Sequence, residues 1–173
     1  MIRPAAPTDL PAVAQIYEEI LTQEDTRPHS YTNWQRGKYP TLDTARQALE
    51  TETLWVFEEG GQLCAAFILN SVQLPEYGQI PWQFPAESDQ VAVIHTLVVS
   101  PRRSGQGVAR KLVSFCEAEA RRQGKTVMRL DTYEGNLPAN AMYPRLGYRL
   151  AGAAEFFFQG LIREVLNCYE KLL

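Results

Sequence analysis

A mixed, twisted sheet of about seven strands with helices on both faces (α/β, or α+β) is the fold this chain predicts, and three observations carry it. The apolar periodicity runs strand, two helices, three strands, helix, strand, helix, two strands. Gly60-Gly61 lies between two strand-like runs, a hairpin signal. The 173 residues are 45% hydrophobic, enough for one sizeable core and too few for two, so residues 1–173 are expected to form a single domain.

Residues 1–5 read as a short strand, and Thr8 can cap a helix in which Val13, Ile16, Tyr17, Ile20 and Leu21 recur at helical spacing. Pro11 falls in its first turn, where a missing N–H does no harm. Residues 24–40 read as a loop or broken helix, followed by a second helix over 41–51 with Ala45, Ala48 and Leu49 inward. Strands over 53–58 and 62–71 flank the glycine pair. Pro75, Pro81 and Pro85 then exclude regular structure from a linker carrying Tyr77, Trp82 and Phe84; an ordered loop of that length tends to be functional.

A strand over 91–99 leads through glycines into a helix over 105–123, whose inward stripe is Ala109, Leu112, Val113, Cys116 and Ala120. Residues 127–132 form a further strand, and Asn136 can cap a short helix carrying Tyr143. The tail from Tyr148 reads as two strands turning near Gln159-Gly160.

The net charge of -3 and pI near 5.5 argue against a general nucleic-acid binder, which needs a broad basic surface. Yet Arg102, Arg103, Arg110, Lys111, Arg121, Arg122 and Lys125 gather against only Glu117 and Glu119, a local field that would steer in an anion. The three cysteines, 64, 116 and 168, sit apart in apolar runs with neither disulfide nor metal spacing, so reduced buried thiols are expected. With no signal-like segment and no apolar run of membrane-spanning length, the expected location is cytoplasmic, without membrane contact.

The stretch Arg102-Arg103-Ser104-Gly105-Gln106-Gly107, between strand and helix, reads as an anion cradle. Its glycines permit close approach and unusual dihedrals, and the following helix adds unpaired N–H groups and a positive dipole end. A dinucleotide fingerprint would need a third glycine, and a P-loop would need G-K-[ST].

At these residues the chain resembles the GNAT superfamily of acyl-CoA dependent N-acetyltransferases, whose Gln/Arg-x-x-Gly-x-Gly/Ala signature is matched by Arg102, Gly105 and Gly107. A second block of that family is matched by Asn136, Ala139, Met142, Tyr143, Leu146, Gly147 and Tyr148. The resemblance implies a mostly antiparallel sheet and acetyl-CoA (coenzyme A) as cofactor. Its diphosphate would be held by Arg102, Arg103, Ser104, Gly105, Gln106, Gly107, Val108 and Ala109, and its pantetheine amides by the main chain of Leu97 and Val99. Asn136 matches the family asparagine that contacts the cofactor, an identity that helix capping explains equally well.

Acyl transfer to an amine needs a neutral nitrogen, and only about one alkylamine in a few thousand is unprotonated at neutral pH. His95 is the leading base, with Glu134 or Glu87 as alternatives and a core histidine as the bland reading. Tyr143 resembles the family's general acid for the leaving thiolate; Pro144 after it departs from the family pattern and predicts a kink. Tyr31, Trp34, Tyr39, Trp82 and Phe84 fall in segments that wall the acceptor cleft in that family. The expected activity is acetyl transfer to a primary amine of a small molecule or amino acid by direct attack in a ternary complex. The alternatives are a peptide or protein acceptor, and a non-catalytic acyl-CoA sensor. A small amine is the expected partner, no metal is implied, and a homodimer is compatible with the sequence.

Overall fold

The computed structural model describes residues 1–158 and 160–173, so Gln159 of the expected last turn lies outside the described residues. Seven strands, β1 (Ile2–Pro4), β2 (Leu54–Glu59), β3 (Gln62–Asn70), β4 (Val91–Val99), β5 (Val127–Tyr133), β6 (Arg149–Phe158) and β7 (Ile162–Leu172), form one sheet in the order β1-β2-β3-β4-β5-β7-β6. Four helices accompany them: α1 (Leu10–Asp25), α2 (Leu42–Glu50), α3 (Val108–Arg122) and α4 (Leu137–Arg145). The pairings β1–β2, β2–β3, β5–β7 and β6–β7 are antiparallel, whereas β4–β5 is parallel from Val91↔Val127 to Ile94↔Leu130. The expected mixed, mostly antiparallel sheet is thus observed.

Two compact units share the chain, and β4 and α3 each contribute to both. The first comprises Met1–Pro28, Trp34–Leu69 and His95–Val113. Its core joins Val13, Ile16 and Tyr17 of α1 and Ala45 and Ala48 of α2 to alternate residues Leu54, Val56, Ala66 and Ile68 of the β2–β3 hairpin, with Val98. The hairpin turns at Gly60 and Gly61, with φ of 61° and 75°, the left-handed pair that a two-residue turn demands. Thr41 caps α2 by accepting from Thr44 N.

The second unit comprises His29–Asn33, Asn70–Ile94 and Ser114–Leu173. Tyr77 and Ile80 of the linker pack with Val91, Val93, Val127, Ala151, Phe156, Leu166 and Cys168 into its core. Cys64, Cys116 and Cys168 are all buried free thiols, as expected.

Three local expectations are corrected. Thr8 caps nothing: Pro7–Asp9 forms a 3-10 turn, where the Asp9 carboxylate accepts from Ala6 N and pairs with Arg3, and α1 starts only at Leu10. The helix expected from 105 begins at Val108, because Gly105 and Gly107 hold left-handed φ values of 74° and 76°. The linker contains 3-10 turns at Pro75–Gln79 and Ser88–Gln90; proline starts the first, where its missing N–H costs nothing.

Candidate active site

In the first unit, β4 delivers His95, Leu97 and Val99 into the turn at 100–107. Thr96 between them carries a left-handed φ of 46°, a strained conformation for a β-branched residue, and its hydroxyl is hydrogen-bonded to that of Tyr39. Leu97 and Val99 are half-buried while Val98 points into the core, so the two cofactor candidates alternate outward. His95 is half-buried and next in sequence to the last residue paired with β5. Tyr39 is only 5% exposed and meets Trp34 edge-on at 5.8 Å, so these two predicted acceptor-wall rings form a packed pair.

Two carboxylates brace the turn. Glu19 of α1 takes Ser100 Oγ at 2.9 Å and the Arg102 guanidinium, and Glu59 takes Arg103 at 3.1 Å. Gln106 Nε2 donates to Arg102 O at 3.2 Å. Arg102 and Arg103 also rim a cavity of about 230 Å³ that Gln15, Glu19, Gln62 and Ser100 help to line. Beyond this brace the backbone is open. Among the described residues, the main-chain N–H groups of Gly105, Gly107, Val108, Ala109 and Arg110 find no protein acceptor. A Cβ built on Gly105 or Gly107 would meet no atom within 4 Å. Unpaired donors around open space at a helix start fit a diphosphate.

The second unit holds Tyr31, Trp82, Phe84, Asn136 and Tyr143. Asn136 caps α4, its Oδ1 accepting from Ala139 N at 3.2 Å. Asn140, unremarked in the sequence, fixes the same junction: its Nδ2 donates to Tyr133 O, Glu134 O and Asn136 O, and its Oδ1 accepts from Asn167 and the Tyr169 hydroxyl. Tyr143 lies on α4, 6% exposed, between Tyr148 at 5.7 Å and Tyr169 at 5.4 Å. Helix α4 continues through Pro144 to Arg145, close enough to its end that one missing N–H is tolerated. Burial and then the nearby Asp131 push the Tyr143 phenol above its ordinary pKa, so it stays protonated across the neutral range.

Trp82 and Phe84 are held by a buried ion network. Trp82 Nε1 donates to Tyr77 O at 2.9 Å, its ring lies 4.3 Å from the Arg129 guanidinium, and Arg129 donates to Phe84 O at 3.1 Å. Glu170, fully buried, accepts from Gln83 N, Phe84 N and Arg149. Both rings are half-buried against the core of this unit.

Two acids escaped the sequence reading. Asp131 of β5 accepts from the Tyr77 hydroxyl at 2.7 Å, and burial raises its carboxyl to about 6. Glu164 of β7 is 8% exposed, has Asn33 as a hydrogen-bond partner, and is pushed up to about 7 by burial. A signal existed for Glu164, which shares the inward phase of β7 with Ile162, Leu166 and Cys168; Asp131 shares its phase with Arg129 on a strand buried on both faces and gave none. Among the described residues no helix is long and apolar enough to cross a membrane, and no group of three or more potential metal ligands occurs.

Comparison with known proteins adds a family. The model of the acetyltransferase (GNAT) family matches residues 11–148. The uncharacterized N-acetyltransferase YesJ of Bacillus subtilis is 28% identical over 109 residues, covering 61% of this chain, which spans 58% of that protein's length. Among solved structures, a GNAT-family acetyltransferase from Listeria monocytogenes superposes with a TM-score of 0.75 at 22% identity, covering all of this chain and 94% of that one. The yncA structure from Salmonella typhimurium, solved with its cofactor acetyl-CoA, has a TM-score of 0.69 at 20% identity, covering all of this chain and 93% of its own.

Proposed function

Since the chain belongs to the acetyltransferase (GNAT) family, we propose that it moves an acetyl group from acetyl-CoA to a primary amine of a small molecule or amino acid, by direct attack in a ternary complex. The observation that carries this reading is the set of open N–H groups from Gly105 to Arg110, which suits the diphosphate of coenzyme A. Acetyl-CoA supplies the activated thioester carbonyl.

The chain's own residues have four tasks. Gly105, Gly107, Val108 and Ala109 offer main-chain donors to the diphosphate, with Arg102, Arg103, Ser104 and Gln106 shaping the turn. The main chain of Leu97 and Val99 aligns the pantetheine amides, and one of those N–H groups polarises the thioester oxygen. His95 takes the proton that the ammonium must lose, a task worth about 10²- to 10⁴-fold in rate. Tyr143, held protonated, donates a hydrogen bond to the departing sulfur and supplies its proton. A phenol more basic than a thiolate is a weak acid, so its main contribution is that hydrogen bond as negative charge develops on sulfur.

Asn136 serves first as the cap of α4, with cofactor contact as a second use. Tyr31, Trp34, Tyr39, Trp82 and Phe84 supply aromatic walls; the last two, fixed by Arg129 and Glu170, favour a small enclosed acceptor over a polypeptide in an open groove. Buried, reduced thiols fit a cytoplasmic setting.

Two measurements test the reading. Calorimetry with coenzyme A should show binding, and thiol release from acetyl-CoA should occur with small amines and fall by about 10²-fold in Tyr143→Phe. Binding without turnover on any amine, unaffected by that substitution, would identify a sensor instead. Turnover restricted to peptides would replace the acceptor class.

A further inference from the structure

Among the described residues, Thr96 is the one with a positive φ inside a strand; the glycines with positive φ, Asn33 and Glu52 all lie in turns and loops. Thr96 is also β-branched, the side-chain class least suited to that region, where glycine or asparagine would sit with far less strain. A strained conformation kept inside a strand needs something to hold it.

The conformation redirects the side chains of β4. From Val91 to Ile94 the strand is buried on both faces. His95, Thr96 and Leu97 are then half-buried in succession, and alternation resumes only at Val98, in the core of the first unit, and half-buried Val99. The left-handed residue thus turns the strand between the base candidate His95 and the main chain of Leu97, and sets the angle between them.

Tyr39 reaches this point from a tight loop of the same unit. Lys38 N and Tyr39 N both donate to Gln35 O, at 2.9 and 3.1 Å, around Gly37 with a φ of 75°. Trp34 meets the ring edge-on and itself packs on the core of the unit, while Thr41, two residues on, caps α2. The ring is therefore fixed from both ends of its segment, and its hydroxyl is hydrogen-bonded to that of Thr96. Two hydroxyls largely out of water lose that bond at a cost if the strand relaxes, so the pair opposes the return of Thr96 to extended dihedrals.

We propose that Tyr39 is a positioning residue for acetyl transfer: through Thr96 its hydroxyl holds β4 turned, so that His95 and the Leu97 main chain address the thioester together. It acts on the strand and not on the reacting atoms. The assignment rests on the N-acetyltransferase reading above and adds to it a residue that organises the reacting groups.

The test is Tyr39→Phe, which removes one oxygen and keeps the packed ring. With acetyl-CoA and a panel of small amines, kcat should fall about 10-fold or more, while calorimetric affinity for coenzyme A, set by the turn at 105–110, stays within about 3-fold. Adding Thr96→Asn should bring kcat back to within about 3-fold of the wild type, because asparagine holds left-handed dihedrals unaided. A hydroxyl that only stabilised the fold would lower Tm without this rescue. An unchanged kcat in Tyr39→Phe, a loss that Thr96→Asn leaves in place, or an equal loss of coenzyme A affinity overturns the proposal. Should Tyr39→Phe fail to fold, Thr96→Val removes the other hydroxyl at nearly constant shape and should show the same split between kcat and affinity; an unchanged kcat there overturns the proposal equally. Hydrogen exchange of residues 95–99, measured with no amine present, separates this inference from the one it rests on. Exchange should quicken in Tyr39→Phe and slow again with Thr96→Asn. That pattern in a protein that acetylates no amine would refute the transferase reading and leave the Tyr39–Thr96 clamp on β4 standing; transfer with unaltered exchange and kcat does the reverse.

Discussion

The strand-to-helix junctions β4 into α3 and β5 into α4 are built from similar parts and finished in opposite ways. At the second, Asn136 caps the helix and Asn140 gathers three carbonyls, a neighbouring amide and a phenol, so its polar groups are used within the protein. At the first, among the described residues, no side-chain hydrogen bond reaches the start of α3; two left-handed glycines lead into a helix start whose N–H groups remain available. Both sequences are polar and turn-forming, and the difference lies in where their hydrogen bonds end. A junction whose donors are spent internally supports a neighbour, while one whose donors face open space is equipped for a ligand.

The sharpest way to break this contrast is at Asn140. Asn140→Ala strips three carbonyls and two donors of partners and should cost on the order of 3 kcal/mol of stability, visible in denaturant unfolding, with coenzyme A affinity of the folded fraction unchanged. Loss of affinity with unchanged stability would invert the assignment of the two junctions. Gly107→Val acts at the other. A Cβ there would meet no atom within 4 Å, so folding should lose only about 1–2 kcal/mol of backbone strain, whereas coenzyme A binding should weaken about 100-fold by calorimetry. Equal loss of both would leave the turn a structural role.

How much of this was legible follows from the range of the interactions. Helix α1, the β2–β3 hairpin and the Asn136 cap depend on neighbours in sequence, and their patterns announce them. Thr8 misleads because Pro7 enables a 3-10 turn that takes up the position a cap would occupy. The shared face of Asp131 and Glu164 could not be read locally. It depends on the β5–β7 register, which joins residues about thirty to forty positions apart and decides that both acids face the same side. Trp82 and Phe84 carry a similar lesson, since their fixing by Arg129 and Glu170 spans the linker and two strands.

Two smaller effects sharpen the chemistry. His95→Ala should remove the ionisation of the general base from the acid limb of the pH profile of kcat/KM; an unchanged profile would pass the proton to another group. Asp131→Asn tests the two raised acids. The Asp131 carboxyl lies near 6 and Glu164 near 7 when folded, both above their ordinary values, so the folded state binds protons that the unfolded chain releases. Stability from these groups is therefore present at low pH and lost as pH rises from about 4 through 7. Above that window Asp131→Asn should be more stable than the wild type by about 1–2 kcal/mol, allowing for partial solvent screening, and a flatter curve of Tm against pH would show it.

The three sealed cysteines also equip each half of the molecule with its own opening reporter. Cys64 lies in the first unit, and Cys116 and Cys168 in the second, none more than 2% exposed. A bulky thiol reagent can capture them only when the surrounding structure gives way, so mass-resolved labelling rates would time the breathing of each half without any engineered tag.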